Sequence, residues 1–201
     1  RNQLIHGGAT WNGQINRAQI ADGATILGTI VPLVIELMME HPEQAMSDSK
    51  RTRHHGPLIY LDLDNFKPLN DLRGHGMGDL LLIEVASRLK ACVRDADTVA
   101  RIGGDEFVVL LCTLDPQREV AGMQAIAVAE KVRARLAECY VLRPAPGAQP
   151  IEHSCTASIG VALFRGRDES QDSLMDRADQ AMYQAKEEGR NRVRLASVPL
   201  D

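Results

Sequence analysis

Between positions 58 and 63 the chain reads Leu-Ile-Tyr-Leu-Asp-Leu, an apolar run that gives way to aspartates at 62 and 64. A run this short, rich in aliphatic residues, predicts a buried strand that carries polar groups to its C-terminal tip. A polar, glycine-punctuated segment follows, NDLRGHGMG at 70–78. From Asp79 to Val93 the residues Leu82, Val85, Ala86, Leu89 and Cys92 or Val93 fall at helical spacing. Thr98 to Ile102 and Glu106 to Cys112 predict two strands, joined by a hairpin through Gly103, Gly104 and Asp105. Arg118 to Cys139 sets Ala125, Ala129, Val132 and Leu136 on one helical face, and Cys155 to Leu163 is strand-like. A further helix from Ser170 to about Glu188 and a last strand near Val193 complete the pattern. The order from Leu58 to Leu163 is β-α-β-β-α-β, so the expected class is α+β with a ferredoxin-like core and an appended C-terminal helix and strand. The stretch through Glu40 predicts an extra N-terminal helix, and the prolines of RPAPGAQP (143–150) predict a loop.

The 201 residues, 44% of them apolar, suffice for one domain with a substantial core. The longest apolar run, Ala24 to Met39, is broken by Gly28, Pro32 and Glu36 and falls short of the roughly 20 residues needed to cross a bilayer. No leader-like pattern opens the chain, which leads to the expectation of a cytoplasmic domain. The four cysteines, Cys92, Cys112, Cys139 and Cys155, lack the spacing of a zinc site or a disulfide framework and read as reduced, mostly buried thiols. A net charge of -4 offers no general attraction to nucleic acid, so any phosphate binding must come from local groups. The cluster Lys50, Arg51, Arg53, His54 and His55 reads as a solvated loop before the first strand.

Topology brings the acids together. In a β-α-β-β-α-β unit the first and third strands are antiparallel neighbours, so the end of the first meets the start of the third. Asp62 therefore lies beside Asp105 and Glu106. Carboxylates so placed repel one another unless neutralised, and oxygen ligands suit a hard cation such as magnesium. Lys67, Asn70 and Asp79 border the same cleft, and Lys186 and Arg190, at the end of the last helix, arrive there as candidate phosphate ligands. Taken singly, each element has an ordinary structural explanation as a strand end, a hairpin, a helix cap or a helix-terminal charge.

The sequence RIGGDEF, Arg101 to Phe107, resembles the signature of the GGDEF diguanylate cyclases. LDLDNFKPLND (61–71), GHGMGD (74–79), SIGVA (158–162) and AMYQAKEEGRNRV (181–193) resemble further blocks of that family in the expected order. The resemblance covers about Leu58 to Val193 and implies a fold like nucleotide cyclases and polymerase palms. It implies one GGDEF domain over 1–201, with an atypical N-terminal segment at 1–57. The implied reaction condenses two GTP into cyclic di-GMP with release of two pyrophosphates, on magnesium or alternatively manganese. By the same resemblance Asp62, the backbone carbonyl of Leu63 and Asp105 would hold the metal, with Glu106 serving a second ion. Asn70 and Asp79 would read guanine, which offers a donor pair that adenine lacks. Backbone groups of Asn65 and Phe66, with Lys67, would hold the inner phosphates, and Lys186 and Arg190 the terminal one. Gly103 and Gly104 would let the hairpin backbone approach the nucleotide. Asp105, Glu106 and Lys186 are the implied catalytic residues, the base being left open between Asp105, Glu106 and a hydroxide on the metal.

Arg94-Asp95-Ala96-Asp97 resembles the family's R-x-x-D product-binding site, where Arg94 and Asp97 would take cyclic di-GMP as a feedback inhibitor away from the carboxylates. An exposed ion pair at a helix end is the structural alternative. The family further implies a catalytic homodimer, since one domain resembles a half-site. A sensor or receiver domain is expected in the full-length protein, which could be membrane-anchored. The family's opening D-x-L-T-G-L-x-N-R block is matched only in part, by Gly13, Asn16 and Arg17. An inactive regulatory module binding GTP or cyclic di-GMP is the alternative function. A polymerase-like enzyme acting on nucleic acid is a third reading, disfavoured by the acidic balance and 3% aromatic content.

Overall fold

The computed structural model describes Ser49, residues 54–144, 147, 149–165 and 170–197. The expected N-terminal helix lies outside these. In chain order the elements are β1 (Gly56–Asp64), α1 (Phe66–Arg73), α2 (His75–Cys92), β2 (Thr98–Gly103), β3 (Glu106–Leu110), α3 (Arg118–Leu136), β4 (Tyr140–Leu142), β5 (Ile151–His153), β6 (Thr156–Phe164), α4 (Gln171–Glu187) and β7 (Val193–Leu195). The main sheet runs β2-β3-β1-β6-β7, antiparallel except for the β6–β7 pair. This is the expected ferredoxin-like arrangement, with β1 and β3 adjoining at the centre and β7 added to one edge.

Strand alternation explains the layers. Ile59, Leu61 and Leu63 of β1 pack with residues of α1, α2 and α3 in one core, while Leu58 and Tyr60 pack with Leu174, Ala178 and Met182 of α4 in the other. All nine residues of β1 are buried, because helices cover both sides of the sheet. At Gly160 on β6 a β-carbon would sit 2.0 Å from the Ala178 carbonyl oxygen and 2.4 Å from the Met182 nitrogen, so α4 rests directly on the strand backbone. On the opposite layer the buried Arg88 of α2 donates to the carbonyls of Arg135, Glu138 and Cys139 at 3.1, 2.6 and 2.8 Å. Its guanidinium also lies 3.6 Å from the Tyr140 ring centroid, tying α2 to the end of α3.

Two expectations are corrected. The helix expected from Asp79 begins earlier, as α2 at His75, and α1 occupies the first four residues of the polar segment 70–78. Phe66 and Leu69 reach the core and hold α1 in place, while Pro68 sits in the first turn, where its missing N–H costs no helical bond. Gly74, at φ +82, separates the two helices. The cysteines divide evenly: Cys92 and Cys155 are buried and Cys112 and Cys139 exposed. The sequence pattern also missed the small β4–β5 hairpin that flanks 143–150. Among the described residues no helix is long and apolar enough to cross a membrane.

Candidate active site

Asp62 is the last residue of β1 to pair with β3, and its partner there is Glu106. Directly opposed residues in an antiparallel pair point to the same face, here the one covered by α4. Beyond the pair the hairpin closes on β1, with the Leu63 amide donating to the Asp105 carbonyl at 3.2 Å. From the third side, α4 delivers Lys186, whose Nζ stands 2.7 Å from Asp62 Oδ2. Close packing at Gly160 sets this approach, since Lys186 lies one turn beyond Met182. Asp62, Asp105, Glu106 and Lys186 are thus assembled as expected, from three separate elements.

The cluster is short of positive charge. Burial above all pushes the Asp62 carboxyl up to about 6, with Asp105 and Glu106 adding to the rise and the hydrogen bond from Lys186 opposing it. Burial likewise raises Glu106, while a hydrogen bond from Tyr60 pulls the other way. A divalent cation with oxygen ligands fits the charge these carboxylates lack. Among the described residues no three His, Cys, Asp or Glu side chains gather closely enough to hold a metal by themselves.

Asn65 adopts the left-handed conformation, φ 60, where β1 turns into α1, and no side chain caps that helix. The first amides of α1, beginning at Phe66, are therefore left without an intrahelical acceptor beside Asp62, and Lys67 is exposed next to them. Asn70 on α1 and Asp79 on α2 stand on either side of Gly74. The buried Asn70 Oδ1 accepts no hydrogen bond, and a β-carbon at Gly78 would lie 2.0 Å from it. Gly78 therefore makes room for Asn70. Gly104 has φ +47, open to glycine, and nothing stands within 4 Å of a β-carbon built at Gly103 or Gly104. Arg190 is exposed, in the loop after α4.

The spacing of residues did not reveal several further members. Arg101 donates from Nε and Nη2 to the Gly104 carbonyl, at 2.9 and 2.7 Å, and so staples the hairpin from inside. Burial lowers the Arg101 pKa from its ordinary value, and the negative charges of Asp79 and Asp105 oppose that fall. The buried Asp64 does not join the carboxylate cluster but accepts three hydrogen bonds from β6 and the loop after α4. Its position two residues after Asp62, hence on the same strand face, was the available signal.

Arg94 and Asp97 lie elsewhere. Thr98 pairs with Leu110, which pairs with Leu58, whereas the carboxylate end of the sheet is marked by Glu106 and Asp62. Four residues of strand, about 13 Å, separate the two levels. The Asp97 carboxylate accepts from the backbone amides of Arg94 at 2.8 Å and Cys112 at 2.9 Å, so it fastens the turn before β2. The Arg94 side chain is exposed.

A family model described as "Diguanylate cyclase, GGDEF domain" matches residues 36–192. The chain is 42% identical over 155 residues to MucR of Pseudomonas aeruginosa, a bifunctional diguanylate cyclase/cyclic di-GMP phosphodiesterase, covering 77% of this chain and 21% of that protein. It is 38% identical over 160 residues to diguanylate cyclase A of Treponema denticola, covering 80% and 40%. It thus spans well under half the length of either. Among solved structures, the GGDEF domain of TpbB from Pseudomonas aeruginosa superposes with a TM-score of 0.68 at 34% identity, over 78% of this chain and 91% of that one. The GGDEF domain of DgcB from Caulobacter crescentus, in complex with c-di-GMP, gives 0.66 at 31% identity, over 80% and 88%.

Proposed function

The chain belongs to the GGDEF family of diguanylate cyclase domains, and from that premise we propose that it condenses two GTP molecules into cyclic di-GMP, releasing two pyrophosphates. The observation that carries this reading is the meeting of Asp62, Glu106 and the Asp105 turn with Lys186 at one sheet end.

Magnesium, or manganese in its place, would be held by Asp62, the Leu63 carbonyl and Asp105, with Glu106 serving a second ion, and when bound it neutralises charge on the phosphoryl oxygens. The chain's own groups do the rest. Backbone groups of Asn65 and Phe66, with Lys67, cradle the inner phosphates, and Lys186 and Arg190 grip the terminal one. Asn70 and Asp79 select guanine, whose donor pair adenine lacks. Gly103 and Gly104 leave the hairpin backbone open to the nucleotide. Attack of the 3′-hydroxyl of one GTP on the α-phosphorus of another needs a second nucleotide brought face to face, so the working form is a homodimer, assembled by sensory or receiver domains of the full-length protein. Asp105 and Glu106 are the carboxylates at hand to accept the hydroxyl proton. Arg94 and Asp97 form a separate product site that mediates feedback inhibition. The domain takes in the whole chain, 1–57 being an atypical lead-in, and works in the cytoplasm.

Incubation of the protein with GTP and magnesium, followed by chromatography, tests the reading beside Asp105→Ala. Cyclic dinucleotide from the parent alone is the expected result. Nucleotide binding without product in the parent would make the chain a regulatory module instead.

A further inference from the structure

The second aspartate of LDLD is not spent on the cation site. Asp64 is 3% exposed, and both its oxygens are taken. Thr156 Oγ1 donates to Oδ2 at 2.6 Å, Ser158 Oγ to Oδ1 at 2.8 Å, and the Asn191 amide to Oδ2 at 3.1 Å. A buried carboxylate is tolerated when its acceptor capacity is met in this way. Two of the donors come from β6, the strand beside β1, and fix the carboxylate. The third comes from the loop that follows α4.

That loop is conformationally unusual. Gly189, Arg190 and Asn191 have φ 114, 64 and 45, so two residues bearing a β-carbon stand consecutively in the left-handed region. Such residues remain there only when their surroundings hold them. The Arg190 amide donates back to the Ala185 carbonyl at 3.0 Å, and Arg133 Nη1 donates to Asn191 Oδ1 at 2.9 Å. The bond from the Asn191 amide to Asp64 joins this strained turn to the buried sheet. The Arg190 side chain leaves from the residue immediately before the held amide.

We propose that Asp64 is a positioning residue which, through the Asn191 amide, holds Arg190 where it can grip the terminal phosphate of the nucleotide. The inference rests on the phosphate-binding reading of Arg190 given above. Asp62 and Asp64, on one strand face, then organise the same helix end: the first meets Lys186 directly and the second orders the turn that presents Arg190.

The test compares binding of the α,β-methylene analogues of GTP and GDP, which cannot undergo the condensation, by isothermal titration calorimetry. Arg190→Ala is expected to lower the triphosphate-to-diphosphate affinity ratio about tenfold, the scale of one charge-assisted contact. Asp64→Asn, which removes the charge and leaves one good acceptor for three donors, is expected to lower the ratio comparably. Adding it to Arg190→Ala should produce no further fall. Hydrogen exchange at the Asn191 amide should quicken in Asp64→Asn. If that variant does not fold, Thr156→Val combined with Ser158→Ala, which frees the carboxylate from β6, should shift the ratio the same way. An unchanged ratio in the foldable Asp64 or Thr156/Ser158 variant, with the ratio lowered in Arg190→Ala, overturns the positioning role alone. An unchanged ratio in Arg190→Ala removes the phosphate role of Arg190 and this inference with it.

Discussion

Replacing Gly160 by alanine adds a single methyl group at a place where α4 lies against the backbone of β6. The new β-carbon would meet the Ala178 carbonyl at 2.0 Å and the Met182 nitrogen at 2.4 Å. Both are main-chain atoms, so no side chain can swing aside and the helix itself has to withdraw by about 1 Å or more to restore ordinary contact. Overpacking of this kind typically costs about 1–3 kcal/mol. A domain of this size should then melt roughly 2 to 12 °C lower. The functional cost is larger, because Lys186 rides on the displaced helix and now stands 2.7 Å from Asp62. Misplacement of a positioning group by about 1 Å can cost on the order of a hundredfold in rate. Gly160→Ala should therefore reduce cyclic dinucleotide production far more than its folded fraction, measured by circular dichroism at the assay temperature, can explain. Wild-type melting together with wild-type activity would refute the close packing of α4 and its part in placing Lys186.

Two further outcomes are expected. In the metal-free protein the Asp62 carboxyl should titrate near 6 by carbon NMR, and Lys186→Met should raise the midpoint further, because the Lys186 hydrogen bond is the largest effect lowering it. The raised value means that ionised Asp62 opposes folding above about pH 6; this penalty is relieved as pH falls from there toward 4, while cation affinity measured by calorimetry weakens over the same range. Arg94→Ala should relieve inhibition of the cyclase by added cyclic di-GMP while leaving the initial rate intact; inhibition equal to the parent's would remove Arg94 from the product site.

Strands β1, β3 and β6 and the three long helices were readable because each buries enough apolar residues to impose a period: β6 carries eight buried residues and α2 buries Leu81, Leu82, Val85 and Leu89 along one side. The meeting of Asp62 with Glu106 was readable too, since the order of elements dictates which strand ends adjoin. By contrast, α1 anchors itself with only Phe66 and Leu69, too few to show a helical repeat among its polar neighbours. The strands β4 and β5, three residues each, are shorter than any alternation a sequence can display. The tasks of Asp64 and Arg101 stayed hidden for a different reason. Both bind main-chain groups distant in sequence or folded back at a turn, and residue spacing records side-chain faces rather than carbonyls and amides.

The forked grip of Arg101 on the Gly104 carbonyl has one more effect. A glycine pair at a hairpin tip would ordinarily wander through many shapes, and a ligand landing on it would have to freeze that wandering at the expense of its own affinity. Here the freezing happens once, during folding, with Arg101 clasping the tip from below and Leu63 from the neighbouring strand. A nucleotide docking on this turn, as proposed above, would find it already in its final shape, so the arginine that opens the signature would act as a stiffener and sharpen association without having to touch the guest at all.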